Sequence, residues 1–225
     1  MNRAESHGVS DQIAQAYANH APACAVLGWW ERGERYAQRG LALREEAGDR
    51  WGAAQSRSYW AMVLFSAGRW RRCLEVGRLA EPEFEQLGDR WELVNLLDFL
   101  GSAHLYLGDW DQAEACLEKA YRLASSLKHY AGMAYTVRIQ AEMRGRVNTQ
   151  SLLQEVDRLM PQVLAGEDRM AACCLWIARG VILGQLRTWD EAERAFAAAE
   201  EIRERHHLRT ENTDPYVGWL EVVLA

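Results

Sequence analysis

The 225-residue chain holds four prolines, and its β-branched residues are few beside abundant Ala, Leu, Glu and Arg. Few prolines among such helix formers favour helix and the scarcity of β-branched residues disfavours a sheet, so an all-α chain is expected. No apolar run approaches the roughly 18 residues that span a bilayer. The first residues, MNRAESHGVSDQ, lack the charged segment and apolar core of a secretory leader. A cytoplasmic protein without a membrane partner follows as the expectation. Like charges are not grouped either: 26 basic against 32 acidic residues give a net charge of −6. That balance argues against a nucleic-acid surface. The five cysteines, Cys24, Cys73, Cys116, Cys173 and Cys174, are odd in number and lack metal-ligand spacing. They read as small core residues of a reducing compartment.

Catalytic signatures are also missing. The six histidines stand without an HExxH pair, nucleophile elbow or glycine-rich phosphate loop. His104 lies on an apolar helical stripe and reads as a core histidine, while His206, His207 and Glu204 read as a frayed helix end. Cys173 and Cys174 are neighbours on a helix, where side chains point about 100° apart and cannot pair. Acid pairs such as Glu45-Glu46 and Glu200-Glu201 sit beside basic residues on solvated faces. The expectation is a non-enzyme with no metal and no cofactor.

What the chain does contain is a repeat. It spells Gly-Asp-Arg-Trp at residues 48–51 and again at 88–91, forty residues later. Trp30, Trp70 and Trp110 keep the same spacing, and Trp189 follows Trp110 by 79, two periods less one residue. Gly48 and Gly88 are placed to end a helix in the left-handed conformation, and Asp49 and Asp89 to cap the next one. Leu107-Gly108-Asp109-Trp110 has the same chemistry. Between these joints apolar residues fall at helical spacing, as in Val94, Leu97, Gly101 and Leu105. Helices are predicted over about 10–27, 30–47, 49–67, 70–87, 90–107, 110–127, 129–145, 149–164, 167–185 and 188–206. Pro22 and Pro82 predict a kink or break where they fall. Val217, Trp219, Leu220 and Val222 predict one further capping or partial helix at 213–224.

A spaced set of residues then narrows the type of repeat. Gly101 is followed by Ala113, Leu117 and Ala120, and Gly180 by Ala192, Phe196 and Ala199, with Trp176 four residues before Gly180. Small residues let paired helices approach closely, and the large one fills the space beside them. This set resembles the tetratricopeptide repeat (TPR) family. The match is incomplete, because the second unit reads Ala61, Cys73, Gly77 and Ala80 and lacks the large residue. HEAT and armadillo repeats share a period near forty, but the Gly, Ala and aromatic pattern favours the tetratricopeptide form. The resemblance implies a single domain over 1–225, a right-handed α-solenoid of about five antiparallel helix pairs: 10–47, 49–87, 90–127, 129–164 and 167–206.

The resemblance also implies a function: a concave face, lined by the first helix of each pair, that binds a peptide or protein segment. Its groove positions fall on Gln55, Ser58, Tyr59, Met62 and Phe65, then Asn95, Asp98, Phe99, Ser102 and Tyr106, then Tyr135, Arg138 and Glu142. Asn95, Asp98 and Arg138 are the favoured group, the last two being set for a ligand or for each other. Two further readings stand beside the scaffold. The forty-residue units look like helical arrays of bacterial signalling ATPases and LuxR-type regulators, which implies an inducer-sensing segment with a small-molecule ligand. The tryptophans at the ends, Trp29, Trp30 and Trp219, suggest a self-associating module, a homo-oligomer formed through end helices.

Overall fold

The computed structural model describes residues 3–208, so the helix expected at 213–224 and its Trp219 lie outside the described residues. Every regular element among them is an α-helix. In order these are α1 (Arg3–Val26), α2 (Trp30–Ala47), α3 (Arg50–Ser66), α4 (Trp70–Leu87), α5 (Arg90–Leu107), α6 (Trp110–Ser126), α7 (Tyr130–Gln140), α8 (Thr149–Ala165), α9 (Arg169–Gln185) and α10 (Trp189–Arg205). They form antiparallel pairs in the TPR-like manner. The chain folds as two compact units, Met1–Cys116 and Leu117–Ala225.

In unit one, α1 pairs with α2 and α3 with α4, while α1 packs on α3 and α3 on α5. A first helix therefore meets neighbours on several sides, and α3 responds with small residues: Ala53, Ala54, Ser56 and Ala61 are buried. A second helix such as α4 buries one stripe, Cys73, Leu74, Val76, Gly77, Ala80 and Phe84. In unit two, α7 pairs with α8 and α9 with α10, and α7 packs on α9.

The spaced small and large residues act as packing logic requires. A methyl group on Gly180 would stand 2.7 Å from the Phe196 ring, so the glycine is the slot that the phenylalanine fills. In the second helix pair, α3 with α4, the expected large residue is replaced by Gly77. There Leu100 and Leu96 reach in from α5, to 2.6 and 3.2 Å from where a Cβ would lie. The core is thus completed from the next helix pair.

The joints recur at half the repeat. Gly28, Gly48, Gly68, Gly88 and Gly108 all have positive φ, between 70° and 80°. The same left-handed step falls on Lys128, Arg187 and His207 in unit two, at φ 53°, 61° and 53°. Asp49 and Asp89 cap α3 and α5 as expected, accepting the backbone N–H of Gly52 and Glu92 at 2.9 and 3.0 Å.

Two local expectations are corrected. Of the kink or break expected at each proline, the break does not occur: helix α1 runs unbroken through Pro22, and α4 through Pro82. Each proline removes one backbone donor, and buried Ala18, Ala21 and Ala25 or Ala80 and Phe84 hold the flanking turns against the neighbouring helices. Helix α7 ends at Gln140, short of the expected 145. Beyond it the amides of Glu142 and Met143 bond three residues back, Gly145 turns at φ 72°, and the Ala141 carbonyl accepts from Gln185 Nε2 at 2.7 Å.

Candidate functional site

The sequence at the start of α5, Asp89-Arg90-Trp91-Glu92, has the spacing of a capping box, in which the fourth residue reaches back to the cap's own N–H. Here that N–H is already taken, because Asp89 N donates to Phe84 O at 3.0 Å across the Gly88 turn. Glu92 is thereby released to the side, towards α3. Gln55 Nε2 donates to its carboxylate at 3.2 Å, and the Asn95 amide donates from one turn further along α5. Burial pushes the Glu92 carboxyl above its ordinary range, and neighbouring Asp89 adds to the effect against the two amide bonds. Tyr59, one turn beyond Gln55, is held up by burial and by the Glu92 charge.

Three expected groove residues, Gln55, Tyr59 and Asn95, therefore converge on a fourth that sequence reasoning passed over. Its only sequence signal was an acid three residues after a cap, which reads as helix-end chemistry. Asp98 and Ser102 follow on α5 and are buried. At the far end of the same helix Tyr106 is 47% exposed, yet its ring is fixed: it stacks on Phe65 at 5.8 Å and lies 5.1 Å from Trp70. Phe99 meets Phe65 at 5.8 Å. The first-helix face of unit one thus has an acidic, amide-lined end and an aromatic end.

Unit two places Tyr135, Arg138 and Glu142 on or just beyond α7. Arg138 and Glu142 form an ion pair one turn apart, both largely buried. Tyr135 donates its hydroxyl to Asp168 at 2.8 Å, and Asp168 also caps α9 through Ala171 N at 2.9 Å.

Burial pushes the Cys73 and Cys174 thiols up to about 12, so both are protonated at neutral pH. Among the described residues no group of three or more His, Cys, Asp or Glu side chains is placed to hold a metal ion. Nor is any helix among them long and apolar enough to cross a membrane. His104 is buried on α5, its Nδ1 3.3 Å from Asp109 Oδ2.

Residues 94–127 match the family model described as tetratricopeptide repeat. No curated protein matches the sequence. Among solved structures, the chain is similar to a crystal structure of nearly identical TPR-like repeats from Podosopora anserina, provisionally named a kinesin light chain. The TM-score is 0.64 at 10% identity, over 88% of this chain and 97% of that one. At that identity the likeness concerns the fold.

Proposed function

We propose that the protein is a non-enzymatic, cytoplasmic interaction module whose first-helix face in unit one, α3 with α5, binds a segment of a partner protein. The observation that carries this reading is Tyr106, a large ring left half in solvent but locked against Phe65 and Trp70. A rigid, exposed aromatic loses little conformational freedom on binding, which is what makes such residues effective contact points. The polar row beginning with Gln55 and Asn95 on the same face supplies directional bonds. The TPR-like fold supports the reading, since stacked helix pairs commonly present such faces to partners.

Selection of a displayed random twelve-residue peptide library on the full chain tests it. Enriched peptides should lose binding to Tyr106→Ser, with the variant's circular dichroism unchanged. Peptides indifferent to both Tyr106→Ser and Asn95→Ala would place binding elsewhere.

A second reading, self-association, is favoured by the turn after α1, where Val26, Leu27, Trp29 and Trp30 are all exposed. Light scattering at tens of micromolar separates the two, because a monomer there counts against it. An inducer-sensing role in a bacterial regulator rests on repeat length.

A further inference from the structure

Resting on that reading, we infer that the site around Glu92 receives a lysine or arginine side chain of the bound segment, with an apolar side chain of the same segment on Tyr106. The carboxylates of Glu34, Glu83, Glu142, Glu155 and Glu200, from 12% to 29% exposed, each pair with an arginine. Glu92 is partly buried as well, and its bonds come from two neutral amides. No cation among the described residues is within ion-pair distance of it. Arg90, two residues earlier, lies about 200° round the helix, and the arginines of the adjacent α3, Arg50 and Arg57, are engaged by Glu83 and Glu45.

A second observation points the same way. Gln55 is 6% exposed, its amide lies against the Glu92 carboxylate, and its Oε1 has no hydrogen-bond donor. An uncompensated anion and an orphan acceptor stand side by side, and both call for donors. Ammonium and guanidinium groups carry donors and no acceptor. The terminal torsion of glutamine is soft, so an incoming cation can take the place of Nε2 on Glu92 while the amide turns its oxygen inward.

The acid is also out of pattern. Three residues past the residue that opens α3, α5, α7 and α9 stand Gly52, Glu92, Gly132 and Ala171. The other three are small, and at the two glycines a side chain would meet the residue that opens the helix. A methyl group on Gly52 would stand 2.2 Å from Asp49, and one on Gly132 2.6 Å from the His129 ring. Of these four helices, only α5 carries a charge at this position. From Glu92 to Tyr106 the helix rises about 21 Å, the span of about six residues of extended peptide.

The library selection decides the matter when it is run in parallel on Glu92→Gln, an isosteric change that keeps an acceptor for both amides. The expected enrichment is a lysine or arginine with an aliphatic or aromatic residue five to seven positions away. A synthetic peptide of that sequence should bind Glu92→Gln about tenfold more weakly than the parent. Replacing the peptide's basic residue by glutamate should abolish binding to the parent, and Glu92→Lys should restore it. Peptides that need Tyr106 but show no basic enrichment, or that bind Glu92→Gln equally, overturn the cation site and leave the binding face standing. Peptides indifferent to both positions, or no enrichment at all, overturn both. Dimerisation of the chain that Glu92→Gln abolishes would give the site to a second copy and overturn the partner segment.

Discussion

Asp89 in unit one and Asp168 in unit two each use one carboxylate oxygen to receive a backbone N–H of the helix they open. The other oxygen receives an aromatic donor, Trp51 Nε1 or Tyr135 hydroxyl, both at 2.8 Å. The helices that follow diverge at once. At three, six and nine residues past the cap, α5 has Glu92, Asn95 and Asp98, whereas α9 has buried Ala171, Cys174 and Ile177. The joints diverge too, since the left-handed step is taken by glycine at residues 28, 48, 68, 88 and 108, whereas afterwards Gly145 is joined by the non-glycines Lys128, Arg187 and His207. One joint geometry therefore serves two purposes. Unit one spends its polar residues on a face and keeps its turns unstrained. Unit two closes its face with apolar residues and an internal ion pair, and tolerates strained turns.

The largest effect is expected where unit two has closed its charge. Glu142→Gln removes the carboxylate from largely buried Arg138 and should destabilise the protein by about 3 kcal/mol, read as a lower midpoint in urea. The turns come next, with opposite signs. Gly88→Ala puts a Cβ on a left-handed backbone and should cost about 1 to 2 kcal/mol, whereas Lys128→Gly and Arg187→Gly should each gain up to about 1 kcal/mol. Equal signs would show that the left-handed step does not distinguish the units.

The smallest effect, and the most diagnostic, belongs to Glu92→Gln. The folded protein holds the Glu92 proton more tightly than the unfolded chain, whose ordinary carboxyl value is 4.5. Between that value and the raised one the native state binds more protons, so stability falls as pH rises through the window. Glu92→Gln should therefore match the parent at pH below about 4 and melt higher at neutral pH. A variant that melts lower at neutral pH would mean that the carboxylate is compensated.

Much of this was legible in the residue order. Gly48, Gly88, Asp49 and Asp89 act as their spelling implies, and the ends of α2, α4 and α5 fall where the joints put them. Sequence reasoning overran α7 because its end depends on Gln185, which bonds the Ala141 carbonyl from 44 residues away. It expected a kink or break at Pro22 and Pro82, and no break occurs, because local propensity does not register the packing that carries a helix across a missing donor. Gln55, Tyr59 and Asn95 came from the groove positions that the family resemblance implies, but the residue they surround did not. Glu92 has the signature of a capping acid, and only the bond from Asp89 N to Phe84 O removes it from that duty.

The joint itself has a consequence for how such a chain can be edited. Gly48 and Gly88 hold nearly the same backbone angles, φ 70° and 72°, and both are followed by Asp-Arg-Trp. Removing residues 49–88 would splice Gly48 to Asp89 and leave the local spelling and turn intact. Duplicating the same block would do likewise. The boundary is thus a ready-made cassette site, where whole forty-residue modules can be excised or inserted with no new junction sequence.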